Sequence, residues 1–209
     1  MDNKYEKINH VCSLGSLCHS SIFIKNNKLK LCSYPFDWIY SSPKIIETCL
    51  DDNFESFLDK SQYININSKR CGHKIFYPKM FYHKNPLINQ EHDDYYVRCV
   101  ERFRELLNLS NSKLFIIMST NNTMYNEKYY LDIIKLDEKL SQYTSNYKIL
   151  AIYNVSNQTK NYHKLTKISN IDLLEFHTTS YSNGIHFIRK HDNEYLDKII
   201  NSMYKFELL

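Results

Sequence analysis

Apolar positions along the chain alternate between two rhythms. Four short, nearly continuous apolar runs, "INHVCSL" (8–14), "KLFIIMS" (113–119), "YKILAIYNV" (147–155) and "IDLLEFHTT" (171–179), have the length and side chains of buried strands. Helical spacing fills the intervals. A helix is expected from about Leu17 to Asn26. Ser42-Pro43 opens another, with serine as N-cap, proline in the first turn, and Ile45, Ile46, Cys49 and Leu50 on its apolar face. Asp93 or Asp94 caps a longer one that runs to about Leu109. Tyr96, Val100, Phe103 and Leu107 face inward there, and Arg98, Arg102 and Arg104 lie on other faces. Residues 126–143 form a helix with Leu131, Ile134 and Leu140 inward. The last helix is capped near Asp192 and buries Tyr195, Leu196, Ile199 and Met203. Residues 51–92 carry aromatic clusters without a period, and Pro78 and Pro86 break any long element. Strand–helix–strand alternation with apolar strands predicts an α/β fold: one domain, 1–209, with a mostly parallel sheet flanked by helices in a three-layer, hydrolase-like arrangement.

Composition narrows the functional classes. Hydrophobic residues make up 43% and charged residues 24% of the 209, which suits a globular chain with a real core. The net charge of +4 is scattered rather than gathered into a basic stripe, so no specific nucleic-acid partner is expected. "MDNKYEKINH" lacks the apolar segment of a secretory signal, and no apolar run is long enough to span a bilayer. The expectation is therefore a cytoplasmic protein without a membrane partner, its six cysteines reduced. With three glycines in all, neither GxGxxG nor GxxxxGK[ST] occurs, and no cofactor is expected. Cys71, His73, His83, His92 and Cys99 are metal-ligand types. No CxxC or HxxxH pair holds them close, so no metal is expected.

The stretch "VCSLGSLCHSS" bears the candidate chemistry. It ends the first strand and starts the first helix, the place where parallel α/β sheets bind ligands. Gly15 permits a tight turn. The amides of Ser16, Leu17 and Cys18 would face a pocket with the positive end of the helix dipole behind them. There Cys18 would be favoured as a thiolate, and the amides would hold an oxyanion. Two plainer readings stand beside this one. Cys18 is a small buried residue, or the turn holds an anionic ligand without chemistry. Ser13 and Ser16 are secondary nucleophile candidates. His19 is read as a surface residue.

"SLGSLC" followed by "YPFDWIYSSP" resembles a domain-of-unknown-function family labelled papain-like cysteine peptidases, with bacterial and large-DNA-virus members. "NFESFL" (53–58), "FYHKNP" (81–86), "RCVERFRELL" and "KLFIIMS" match further family segments in the same order, over roughly residues 8–120. The resemblance implies a cysteine nucleophile at Cys18, a histidine base at His83 and an acidic orienter at Asp37, with Phe36 and Trp38 at the pocket. It places the protein in a cytoplasm, a host's if the chain is viral. Papain-like enzymes carry their histidine on an antiparallel barrel, which the alternating pattern here does not predict. The layout also looks like three-layer hydrolases whose base lies just before the last helix. "SNGIHFIRKHDNEYL" has that form and makes His186 a rival base. A capsule-biosynthesis acyltransferase family has a similar small-residue–Cys turn.

The functional expectation is a cysteine hydrolase using a Cys–His pair on an acyl or peptide-type bond of a peptide, glycan or small-molecule substrate. Two alternatives remain. One is a thioester-dependent acyltransferase, for which coenzyme A would be the acyl carrier; the other is a non-catalytic binding module. Asp37 and Trp38 also have structural readings, as a local cap and a core aromatic.

Overall fold

The computed structural model describes residues 6–124 and 126–209; of the polar stretch "MDNKYEKINH", residues 1–5 lie outside them. In chain order the elements are β1 (Glu6–Ile8), β2 (His10–Gly15), α1 (Cys18–Asn26), α2 (Pro43–Asp51), α3 (Glu55–Leu58), a 3₁₀ turn (Lys60–Gln62), β3 (Tyr63–Asn67), β4 (Arg70–His73), α4 (Gln90–Asn108), β5 (Lys113–Asn122), α5 (Glu127–Leu140), β6 (Tyr147–Val155), β7 (Tyr162–Ile168), β8 (Ile171–His177), α6 (Lys190–Met203) and β9 (Tyr204–Phe206).

The central sheet has the order β2-β5-β6-β8-β7. Its first four strands are parallel, and β7 lies antiparallel on the far edge. Side chains alternate across it and seed two cores. Phe115, Ile117, Ile149 and Ala151 face one side, where α2, α4 and α5 pack. Leu114, Ile116, Leu150 and Ile152 face the other, against Phe23 and Ile24 of α1 and Leu196, Ile199 and Ile200 of α6. This is the expected three-layer α/β arrangement.

The first core extends into the irregular segment. Phe36, Phe54, Phe57, Phe81, Tyr96 and Phe103 are all essentially buried and meet mostly edge-to-face. Full burial of such a ring contributes about 1.5–3 kcal/mol, so this cluster gives a segment without regular structure a fixed shape.

Several local expectations are corrected. The long helix starts at Gln90 and is capped by Asn89, whose side chain accepts from His92 N at 3.2 Å. Asp93 instead meets Lys60 at 2.7 Å. In α5 the buried residues are Ile133, Leu136 and Leu140, while Leu131 is half exposed on the opposite face. The final helix begins at Lys190, with Asp192 in its first turn and no side-chain cap. Residues 51–92 contain an antiparallel hairpin, β3–β4. The edge strand β7 was not legible because most of its side chains face solvent. Among the described residues no helix is long and apolar enough to cross a membrane.

Candidate active site

β2 ends at Gly15 and α1 begins at Cys18, as the pattern of this stretch predicts. The turn between them is held by serines. Ser13 Oγ lies 2.7 Å from Ser20 Oγ and accepts from Gly15 N at 3.2 Å, and Ser20 Oγ donates to Gly15 O at 3.0 Å. These contacts occupy Ser13. Ser16 Oγ donates to Met118 O of β5 at 2.8 Å and is likewise occupied. Gly15 has φ +89°, and a Cβ there would stand 1.8 Å from Ser41 Oγ. Glycine therefore satisfies both the backbone and the close approach. Ser41 Oγ donates to Leu14 O at 2.6 Å, which draws Trp38, Ile39 and Tyr40 alongside the start of α1.

His83 comes from the segment after β4. Phe81 is pinned from two sides by bridges to Ile39 and Cys71, with Cys71 N to Phe81 O at 3.0 Å and Phe81 N to Cys71 O at 2.9 Å. On the other side Asn85 is fully buried. Its Nδ2 donates to Asn65 Oδ1 (3.0 Å), Asn67 O (2.7 Å) and Arg70 O (3.1 Å) of the hairpin, and its Oδ1 accepts from Leu87 N. Between these two anchors the His83 ring reaches back, and its Nε2 lies 3.4 Å from Cys18 Sγ. The base candidate thus follows an antiparallel hairpin packed beside a parallel sheet, not a strand of an antiparallel barrel.

Cys18 is half buried and His83 is exposed; they share a crevice of about 560 Å³ with Trp38, Tyr40, Tyr82 and Tyr181. Leu17 is the N-cap of α1, and no side chain caps that helix. Among the described residues, then, no side chain caps the amides of its first turn, and that of Cys18 interacts with its own thiol. Burial pushes the Cys18 thiol above its ordinary value; its own backbone N–H acts in the opposite sense, and the Asp37 charge adds to the rise. The expectation that the helix start alone would favour a thiolate is corrected accordingly. Desolvation outweighs it, so ionisation of Cys18 requires a base at hydrogen-bond range.

The other expected site residues fall elsewhere. Asp37 is fully buried and its carboxylate is saturated. Oδ1 accepts from Ser21 Oγ at 2.9 Å, and Oδ2 accepts from Tyr34 N at 3.0 Å and pairs with Lys30. Asp37 ties the "PFDW" loop to α1 and makes no contact with His83; among the described residues no side chain hydrogen-bonds the far nitrogen of His83. Phe36 is buried among Phe54, Phe57 and Phe103 and does not line the crevice, whereas Trp38 does. His186 lies on the other side of the 178–189 loop, in a small cavity between α1 and α6, with Asn183 Nδ2 at 3.4 Å. His19, read as a surface residue, is buried there too. Its Nδ1 lies 2.8 Å from Ser182 Oγ, and Phe187 packs edge-on at 4.7 Å. Burial lowers its pKa to about 4, with His186 adding to the shift.

Sequence reasoning missed Asn85 and Asn121. Asn121 sits at the end of β5 and lines the crevice. It donates to Ser182 O at 2.8 Å and accepts from Ser182 N at 2.6 Å, locking the 178–189 loop over the strand ends. A run of asparagines in an Asn-rich chain offered no signal for either. His73 and His92 bond to Ser56 O and Asn85 N, and among the described residues no three His, Cys, Asp or Glu side chains are grouped to hold a metal ion.

No curated protein and no solved structure matches the chain. One family model does: the family described as "putative papain-like cysteine peptidase", a domain of unknown function, matches residues 9–86, the span that holds Cys18, Asp37, Trp38 and His83.

Proposed function

We propose that this protein is a cysteine hydrolase in which Cys18 is the nucleophile and His83 its general base. The observation that carries the reading is the 3.4 Å approach of His83 Nε2 to Cys18 Sγ in an open crevice at the carboxyl end of a parallel sheet. His83 takes the thiol proton as Sγ attacks an acyl carbonyl carbon. The amides at the start of α1 stabilise the oxyanion that forms. The carbon–heteroatom bond to the leaving group breaks, and His83 returns the proton to that group. Water, activated by the same imidazole, then releases the acid and restores the thiol. His83 acts without a carboxylate orienter, because Asp37 holds α1 to the following loop. Its ring is fixed instead by the anchors at Phe81 and Asn85. Peptide hydrolysis is the reaction the family description names. A sugar hydroxyl in place of water would make the same intermediate an acyltransferase's.

Incubation with p-nitrophenyl acetate, followed by intact-mass and peptide analysis, tests the reading. The expected result is one acetyl group on Cys18, absent in Cys18→Ala and formed about a hundredfold more slowly in His83→Ala. Acetylation of Cys32 at an equal rate, or an undiminished rate in folded His83→Ala, would overturn it. Added glycerol that emerges acetylated identifies transfer rather than hydrolysis.

A further inference from the structure

Six of the residues that wall the crevice around Cys18 and His83 are Trp38, Ile39, Tyr40, Tyr82, Tyr181 and Ile185. None of the described residues lining it is Asp, Glu, Lys or Arg. Two cations lie near its aromatic walls but not among its lining residues: Lys30 is ion-paired with Asp37 close to the Trp38 ring, and the Arg70 guanidinium lies 4.0 Å from the Tyr82 ring centroid. The amide side chains at the crevice are engaged within the protein. Asn121 donates to Ser182 O and accepts from Ser182 N and from Ser156 Oγ, and Asn183 Oδ1 accepts from Ile185 N and His186 N at 3.0 Å each. Ser182 Oγ is held by His19. What faces a ligand is therefore aromatic and aliphatic surface, the Cys18–His83 pair and the amides of one helix start. At the mouth, Tyr82, Tyr181 and Ile185 remain 39%, 52% and 44% exposed, a cluster of large apolar groups that an entering apolar ligand would cover.

We infer that the crevice selects an uncharged, predominantly apolar acyl group, aliphatic or aromatic, for transfer to Cys18. This rests on the cysteine-nucleophile reading above. The physical ground is that a carboxylate entering the crevice would lose hydration and find no Lys or Arg among its lining residues, and an ammonium would find no Asp or Glu there, only ring faces whose attraction is small beside the hydration lost. An alkyl or aryl chain loses nothing and gains contact with the rings.

Three chain-matched p-nitrophenyl esters provide the test: hexanoate, the adipate half-ester with a terminal carboxylate, and 6-aminohexanoate with a terminal ammonium. In each, the Sγ–acyl bond forms, the aryl C–O bond breaks and p-nitrophenolate leaves, while the thiol proton passes to His83. Hexanoyl transfer to Cys18 is expected to be at least about tenfold faster than transfer of either charged acyl group. Ile185→Lys, a change at an exposed position of the mouth, is expected to raise the adipate-to-hexanoate rate ratio by roughly tenfold. Rates for the three esters within a factor of about two, or a charged ester fastest, would overturn the selectivity while leaving the nucleophile intact. Failure of all three to acylate Cys18 in folded protein would overturn the nucleophile itself, and the inference with it.

Discussion

The thiol of Cys18 is held in a conflict of two local terms. Its position at the start of α1 favours the anion, and its half-buried setting disfavours it; burial wins, so the thiol lies above its ordinary value of 9.0. No helix terminus alone makes this residue reactive near neutrality. Under the proposed reading His83 supplies the missing term: its Nε2 lies 3.4 Å from the sulfur, within reach of the thiol proton. The consequence is measurable by alkylation. In wild type, iodoacetamide labelling of Cys18 is expected to persist well below the thiol's own titration. In His83→Ala the labelling midpoint moves above pH 9.0, because only the desolvated thiol remains. Labelling profiles for the two proteins that superimpose would show that the imidazole does not ionise the sulfur. Asp37 shows how a residue of the right type is diverted by its neighbours. Lys30, Ser21 and the Tyr34 amide occupy both of its oxygens before any imidazole reaches them.

Individual elements bring the pair together by different means. The β2–α1 turn is local and held by contacts among Ser13, Gly15 and Ser20. The His83 segment has no regular structure, and its position depends on Phe81 in the aromatic core and on Asn85 clasping the β3–β4 hairpin. Loss of a fully buried amide whose two N–H groups are shared among three acceptors costs about 2–3 kcal/mol or more. Asn85→Ala is therefore expected to lower stability by that amount and to slow acylation by p-nitrophenyl acetate through misplacement of His83. Alkylation of Cys18 above its titration point should stay near wild type, since the thiolate then needs no base. Chemical denaturation and the two rates, measured together, separate this positioning role from general unfolding. Loss of both rates in a folded variant would assign Asn85 to the crevice wall as a whole.

For the whole molecule, acid stability follows from the α1–α6 face. His19 is buried beneath the 178–189 loop, with its pKa lowered to about 4 from 6.5. The unfolded chain therefore binds a proton more tightly than the folded one. The contribution of neutral His19 is complete above pH 6.5 and is lost as pH falls from 6.5 through 4, to a total of about 3 kcal/mol. Asp192, which clamps Thr179 and Ser180, acts in the same direction at lower pH. Burial pushes its carboxyl up, but hydrogen bonds from Ser180 and Thr179 outweigh that and hold it below its ordinary 3.8. Its contribution is present above pH 3.8 and fades below it. Urea midpoints of wild type are expected to fall between pH 7 and pH 4.5, and those of His19→Gln to fall by clearly less. Equal slopes for the two would place the acid sensitivity elsewhere. Because the loop over His19 also carries Tyr181 and Ile185 at the crevice mouth, acid is expected to loosen the ligand site before the sheet.

The sequence by itself determined what depends on neighbours along the chain. Continuous apolar runs specified β2, β5, β6 and β8, since a strand buried on both faces must be apolar at every position. The glycine and the small residues around it specified the turn that presents Cys18. The period of the long helix specified which face of α4 is buried. Only the tertiary structure shows that His83, and not His186, lies beside the Cys18 sulfur. Both sit beside turn or aromatic residues, and nothing local distinguishes a histidine brought back across the strand ends from one left on the outer side of a loop. It likewise decided that Asp37 is a clasp, that His19 is interior and that Asn85 and Asn121 matter. Their roles are contacts between segments far apart in the chain, and a polar side chain's partner across such a distance has no signature in the residues around it.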